Sequence, residues 1–143
     1  MKPRLVVDTS VFVSTLIGLT RASRQLIRQC LQQTRYQPPI GNTLFSDYES
    51  LINRPKILNR CPLSPSDIVT LFEAFISTCQ WIDTYYLWRP NLTDEADNHL
   101  IELAVAGNAE AIATHNLEDF ANTQLLFPTL NIVKPETLLA RHQ

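Results

Sequence analysis

The chain has 143 residues, 45% of them hydrophobic, with 14 acidic against 12 basic side chains and a formal net charge of −2. That length can bury a proper core as a single domain over residues 1–143, and the negative balance argues against nucleic-acid binding by bulk charge alone, leaving room for a local basic patch or a metal-supplied field. No segment approaches a membrane-spanning run, and the opening MKPRLVVDTS is interrupted by Asp8 too early for a signal peptide, so a cytoplasmic protein without membrane attachment is expected.

Arg4 to Val7 is a short apolar run closed by Asp8, Thr9 and Ser10. Its Leu5-Val6-Val7 core does not alternate, as expected of a strand buried on both faces of a parallel sheet. Asp8 then stands at the carboxyl end of a central strand, where open α/β sheets keep their ligands, although Asp, Thr and Ser also suit a helix N-cap. Val11 to Leu19 reads as a first helix that breaks around Gly18 and Thr20. Ala22 to Gln33 reads as a second, with Leu26, Ile27, Cys30 and Leu31 on one side. Arg21, Arg24 and Arg28 form a basic row that suits either a phosphate backbone or an ordinary solvated face.

QPPIG, residues 37–41, is a turn into a very short strand. Thr43 to Asn53 follows as a helix capped by Asn42 or Thr43, and Arg54-Pro55 ends it. It carries Asp47 and Glu49, which diverge by roughly 200° on a helix, so at most one can face a shared site. Ser64 is a natural N-cap, with Pro65 at the first helical position and Asp67 at the third, for a helix over Ser66 to Thr78. Trp81 to Trp88, WIDTYYLW, is an extended aromatic strand or arm that packs on the sheet or on a second subunit. A helix begins near Asp94, buries Leu100, Ile101, Leu103, Ala104 and Val105, and ends at Gly107-Asn108 in a left-handed cap. Ala111 to Ala113 and Asn131 to Val133 are the last strands, with Phe127-Pro128-Thr129 as a turn between them, and Pro135-Glu136 opens a terminal helix through Leu139. This order implies a three-layer α/β/α sandwich with a central, mainly parallel sheet.

Cys30, Cys61 and Cys79 are odd in number and lack CxxC spacing, which indicates neither a disulfide framework nor a zinc site; Cys30 and Cys79 read as buried thiols. Three glycines leave no phosphate-cradling motif. Acids or amides instead fall near element ends at four places: Asp8, Asp47 or Glu49, Asp94 with Asp97, and Asn116 with Asp119. Asp94 and Asp97 also suit the first turn of their helix as caps. Carboxylates brought together repel unless a cation joins them, and this oxygen-only set suits Mg²⁺ or Mn²⁺. Such a metal can activate a bound water and brace a phosphate. His99 and His115 read as surface or rim groups, since nothing pairs them at metal-ligand spacing.

LVVDTSVFVS, DYESLINRPKI, DEADNHLIELAVAGNAEAIATHN and NLEDF together resemble a PIN domain, more closely the PIN subfamily of toxin components in toxin–antitoxin systems, over nearly the whole chain. The resemblance implies a three-layer sandwich and a Mg²⁺- or Mn²⁺-dependent endoribonuclease with an RNA substrate and a protein antitoxin as partner; a homodimer is compatible with it. By position, the family's acid after the first strand falls on Asp8, with Thr9 and Ser10 as its hydroxyl neighbours. The acid of the third helix falls on Asp47, with Glu49 as the alternative. The next falls on Asp97, with Asp94 just upstream. Asp8, Asp47 and Asp97 would thus be metal ligands. The last acid falls on Asn116, which carries no charge, with Asp119 as a possible substitute. The departures at Asn116 and Asp47 also keep open a catalytically weakened PIN domain that acts as an RNA- or protein-binding module. A phosphotransfer domain using Asp8 fits poorly, because Ser10 stands where a second Asp is needed and no late lysine is evident.

Overall fold

The computed structural model describes residues 2–18, 20–83, 98–120 and 130–141. Its centre is a run of parallel strands. Strand β1 (Leu5–Val7) pairs with β4 (Ala111–Ala113), and β4 pairs with β5 (Asn131–Val133). Strands β2 (Pro39–Ile40) and β3 (Gln80–Trp81) form a second parallel pair. A parallel bridge between Arg4 and Gln37, with Leu5 N–H donating to the Gln37 carbonyl across 3.2 Å, joins the two. The strand sequence across the fold is therefore β3-β2-β1-β4-β5. The chain leaves β1 to one side for β2 and later returns to its other side for β4. That reversal opens a crevice at the carboxyl ends of β1 and β4.

Buried strands explain the unalternating apolar runs: every residue of β1 and β4 is buried. Helix α6 (Asn98–Ala106) lies on β1, β2 and β4. Helix α2 (Arg21–Leu31) packs on α1 (Thr9–Ile17), on α5 (Pro65–Thr78) and on α7 (Pro135–Arg141). A central parallel sheet with flanking helices is the architecture expected of the sequence. One apolar cluster runs through it, and its aromatic centre is Phe12, Tyr48, Phe72 and Phe75, with Phe12 edge-on to Tyr48 at 5.2 Å. Truncating a ring at such a position typically costs about 3–5 kcal/mol.

Several boundaries differ from the expectation for identifiable reasons. Helix α1 starts at Thr9, directly after Asp8, and stops at Gly18, which takes a left-handed φ of 73°. Helix α3 (Asn42–Ile52) is entered from Gly41, not capped by Asn42 or Thr43; a side chain at Gly41 would meet the Ile82 carbonyl at 3.1 Å. A four-residue helix α4 (Pro55–Leu58) follows, with Ile57 and Leu58 partly buried against the core, too short to show a hydrophobic period. Ser64 caps α5 by accepting from Asp67 N–H at 3.1 Å, with Pro65 first in the helix, as its sequence requires. After α6 the left-handed residue is Asn108, with φ 54°, and not Gly107. Gly107 is closely packed: a Cβ there would sit 3.0 Å from the Leu103 carbonyl and 3.2 Å from Pro39.

Of the aromatic run, Gln80–Trp81 forms β3 and the Trp81 ring meets Phe45 edge-on at 5.9 Å; residues 84–88 lie outside the described residues. So do the start of the helix near Asp94 and the turn at 127–129. No described helix is long and apolar enough to cross a membrane.

Candidate active site

Asp8 directly follows β1, its N–H donating to the Ala113 carbonyl at 3.0 Å. It occupies the N-cap position of α1, yet its carboxylate caps nothing. It turns instead to the end of β4. Oδ2 accepts the Thr114 hydroxyl at 2.7 Å and the Ser10 hydroxyl at 2.9 Å. Both hydroxyls are thereby spent as donors, so they accept from the next backbone groups: His115 N–H to Ser10 Oγ at 3.1 Å and Asn116 N–H to Thr114 Oγ1 at 3.0 Å. This web makes the β4 loop and the first turn of α1 one rigid rim. Oδ1 receives only a long 3.4 Å contact from Thr9. Asp8 is 6% exposed, and no lysine or arginine pairs with it among the described residues.

Helix α3 supplies the second acid. Tyr48 is fully buried and donates its hydroxyl to the Val7 carbonyl at 2.7 Å, which docks α3 on the end of β1. Burial pushes the Tyr48 phenol well up from its ordinary pKa, so it remains a donor. The residue before it, Asp47, is half-exposed and places Oδ2 3.1 Å from His99 Nε2 on α6. Burial lowers the pKa of His99 from its ordinary value, while Asp47, Asp8 and Glu102 pull it the other way. His99 therefore lies in the field of the acids, largely buried and not on the surface. Its Nδ1 and Glu102 Oε1 are buried without hydrogen-bond partners among the described residues. Glu49 diverges from Asp47 as helix geometry dictates, lining an apolar groove with Phe72 and Glu73 of α5.

His115, also expected at the rim, is half-buried and anchored. Its Nε2 lies 2.8 Å from Ser23 Oγ, and Ser23 accepts the Thr20 hydroxyl at 2.9 Å. The site thus gathers Asp8, Thr9, Ser10, Thr114, His115 and Asn116 at the ends of β1 and β4, with Asp47 and His99 beside them.

A family model described as PIN domain matches residues 4–118. The chain belongs to the PIN domain family. This PIN domain is similar in structure to a chain in the crystal structure of VapBC2 from Rickettsia felis bound to a DNA fragment from their promoter. The TM-score is 0.56 at 13% sequence identity, with 90% of this chain and 96% of that chain covered. At that identity the likeness speaks for the fold. No curated protein sequence matches.

The acids expected of this PIN domain do not all fall within view. Asp97 and Asp94 lie outside the described residues, as does the side chain of Asp119 in the 3₁₀ turn Leu117–Phe120. Among the described residues no three His, Cys, Asp or Glu groups converge as a metal cage would. Asn116 is exposed at the rim. Arg21, Arg24 and Arg28 are exposed on the side of α2 opposite the buried Leu26, Ile27 and Cys30, within about 60° of one another around the axis, which makes them a solvated face. Sequence reasoning gave Thr114 no role in the site and read His99 and His115 only as surface or rim groups, without their partners Asp47 and Ser23. The signal for Thr114 was available: it is the first polar residue after a buried strand that pairs with β1.

Proposed function

We propose that this PIN domain is a Mg²⁺- or Mn²⁺-dependent endoribonuclease, the toxin of a toxin–antitoxin pair acting in the cytoplasm. The observation that carries the reading is Asp8. It is a buried carboxylate at the switch point of a parallel sheet, with one oxygen saturated by two hydroxyls, the other without a close donor, and no basic partner among the described residues. Isolating such a charge from water costs several kcal/mol unless a cation answers it, by roughly the magnitude found for buried ions in general. The donors fit a hard divalent cation: Asp8 Oδ1, the Asp47 carboxylate, and by the family's pattern Asp97, with the Asn116 carbonyl or Asp119 at the edge. When bound, the ion would acidify a water and neutralise charge on the phosphate.

The chain's own residues do the rest. Thr114 and Ser10 hold Asp8 in one rotamer with Oδ1 directed away from the web. Tyr48 fixes the height of α3 against β1, and His99 holds Asp47. A family of nucleases and the similarity to a VapBC complex support RNA as substrate and a protein antitoxin as partner. A second reading, a weakened PIN domain that binds RNA or protein, draws on Asp47 Oδ2 being engaged by His99 and on the neutral Asn116.

The test is RNA cleavage with Mn²⁺ together with calorimetric Mn²⁺ titration. Asp8→Asn and Asp97→Asn are expected to abolish cleavage while the melting curve stays cooperative. Undiminished cleavage in both variants sinks the nuclease reading, and a wild-type protein that takes up no Mn²⁺ favours the second one.

A further inference from the structure

The hydroxyl chain behind His115 has a direction. Thr20 gives its proton to Ser23 Oγ at 2.9 Å and accepts from Ser23 N–H at 3.2 Å. Ser14 Oγ lies 3.3 Å from Thr20 Oγ1, so the Ser14 hydroxyl is the donor there. Ser23 is fully buried and accepts from Thr20, and its own proton can go to the atom 2.8 Å away, His115 Nε2. Counted this way, the protons run Ser14 to Thr20 to Ser23 to the imidazole. In that arrangement Nε2 accepts and the neutral ring carries its proton on Nδ1.

The same residue closes the site from its backbone side. His115 N–H donates to Ser10 Oγ, and Ser10 donates to Asp8. Its chain neighbours are Thr114, which holds Asp8, and Asn116, whose N–H is fixed by Thr114. One residue is therefore gripped by α1 and α2 through its side chain and grips the acid through its main chain. Buried networks of this kind are retained where they specify one geometry, since each member left unpaired is costly.

We propose that His115 is a positioning residue. The Ser14–Thr20–Ser23 chain holds its ring as the Nδ1–H tautomer and thereby sets the Thr114–Asn116 loop that aims Asp8 and presents Asn116 to the RNA phosphate. The role of the loop rests on the nuclease reading; the tautomer does not.

Two measurements test it. Nitrogen-15 spectra of the histidine rings in the wild-type protein are expected to show His115 with Nδ1 protonated and Nε2 as the bare acceptor. A protonated Nε2 overturns the proposal. In cleavage assays, His115→Leu keeps bulk but no acceptor, and is expected to lower kcat about tenfold with KM for RNA unchanged, as small misplacements of reacting groups do. His115→Gln places an amide oxygen near the position of Nε2 and is expected to stay within about threefold of wild type. Ser23→Ala is expected to lower kcat in the wild-type background and to add nothing to His115→Leu. Equal losses in the Gln and Leu variants, or a loss confined to KM, overturn the positioning role. A wild-type protein that cleaves no RNA removes the nuclease reading, and the ring spectra then decide the tautomer by themselves.

Discussion

The Tyr48 hydroxyl donates to the Val7 carbonyl across 2.7 Å, and this bond joins the helix that carries Asp47 to the strand that ends in Asp8. Both groups are buried, so the bond is sheltered from water on both sides. Tyr48→Phe is expected to cost about 1–2 kcal/mol, since it removes a donor from a buried carbonyl and leaves the ring packing in place. Thermal melts should show the loss as a fall in Tm of a few degrees, roughly 3 °C per kcal/mol for a chain of this size. An unchanged Tm would mean that the helix is held by its apolar face alone.

His99 and Asp47 form the second link between α3 and its neighbours, at 3.1 Å, with the imidazole far less exposed than the carboxylate. His99→Leu frees Asp47 to sample other rotamers, whereas His99→Gln retains a donor. Groups that orient metal ligands commonly tune affinity by about 10- to 100-fold, and a loss at the lower end of that range is expected for Leu and not for Gln. Calorimetric Mn²⁺ titration of the two variants reads the difference. Tighter binding in His99→Leu would show instead that the imidazole competes with the cation for Asp47.

The sequence showed the fold more fully than the site, and the reason lies in range. Leu5-Val6-Val7, Ser64-Pro65 and Gly18 each announce their roles through near neighbours: a buried run, a cap, a left-handed stop. Asp8 followed from standing at the end of such a run. QPPIG announced the short strand β2, and the aromatic run opens on the Trp81 of β3; helix α4, with Ile57 and Leu58 only partly buried, is too short to show a period. The partners of His99 and His115, Asp47 and Ser23, come from other helices, and only packing reveals which side chains meet across such a distance in sequence. The pair Gly107-Asn108 announced the left-handed end of α6, which falls on Asn108, whereas the close packing at Gly107 was out of reach of the local sequence. Beside the Leu103 carbonyl, part of what crowds a side chain at Gly107 is Pro39, from a distant strand.

Gly107 offers a sharp check of that packing. Arg4 Nη1 donates to its carbonyl at 2.6 Å, and an added Cβ would stand 3.0 Å from the Leu103 carbonyl. Backbone oxygen cannot step aside as a flexible side chain would. Gly107→Ala is expected to destabilise by about 1–3 kcal/mol, the usual cost of overpacking, although Ala is the better helix former. A lower urea midpoint with an unchanged slope would report it; a higher midpoint would mean that α6 shifts away from Pro39 without penalty.

Cys30, fully buried, and Cys79, expected to be buried but only partly so in the structure, give the pH dependence its sign. Burial pushes Cys30 and Cys79 from an ordinary value of 9.0 up to about 12. Their folded values lie above their unfolded ones, so the stabilisation is fully present below pH 9 and is lost as pH rises towards 12, because only the unfolded chain releases the protons. Each thiol contributes a slope of at most about 1.4 kcal/mol per pH unit in that window. Cys30→Ala is expected to be less stable than wild type at pH 8, through the lost packing of a fully buried side chain, yet to lose less additional stability between pH 9 and pH 11. Urea denaturation at the three pH values checks both halves. Parallel curves for the two proteins would show that the Cys30 thiol ionises in the folded state as readily as in the unfolded chain. The same burial predicts that native Cys30 resists alkylation at pH 8 and reacts at once in denaturant.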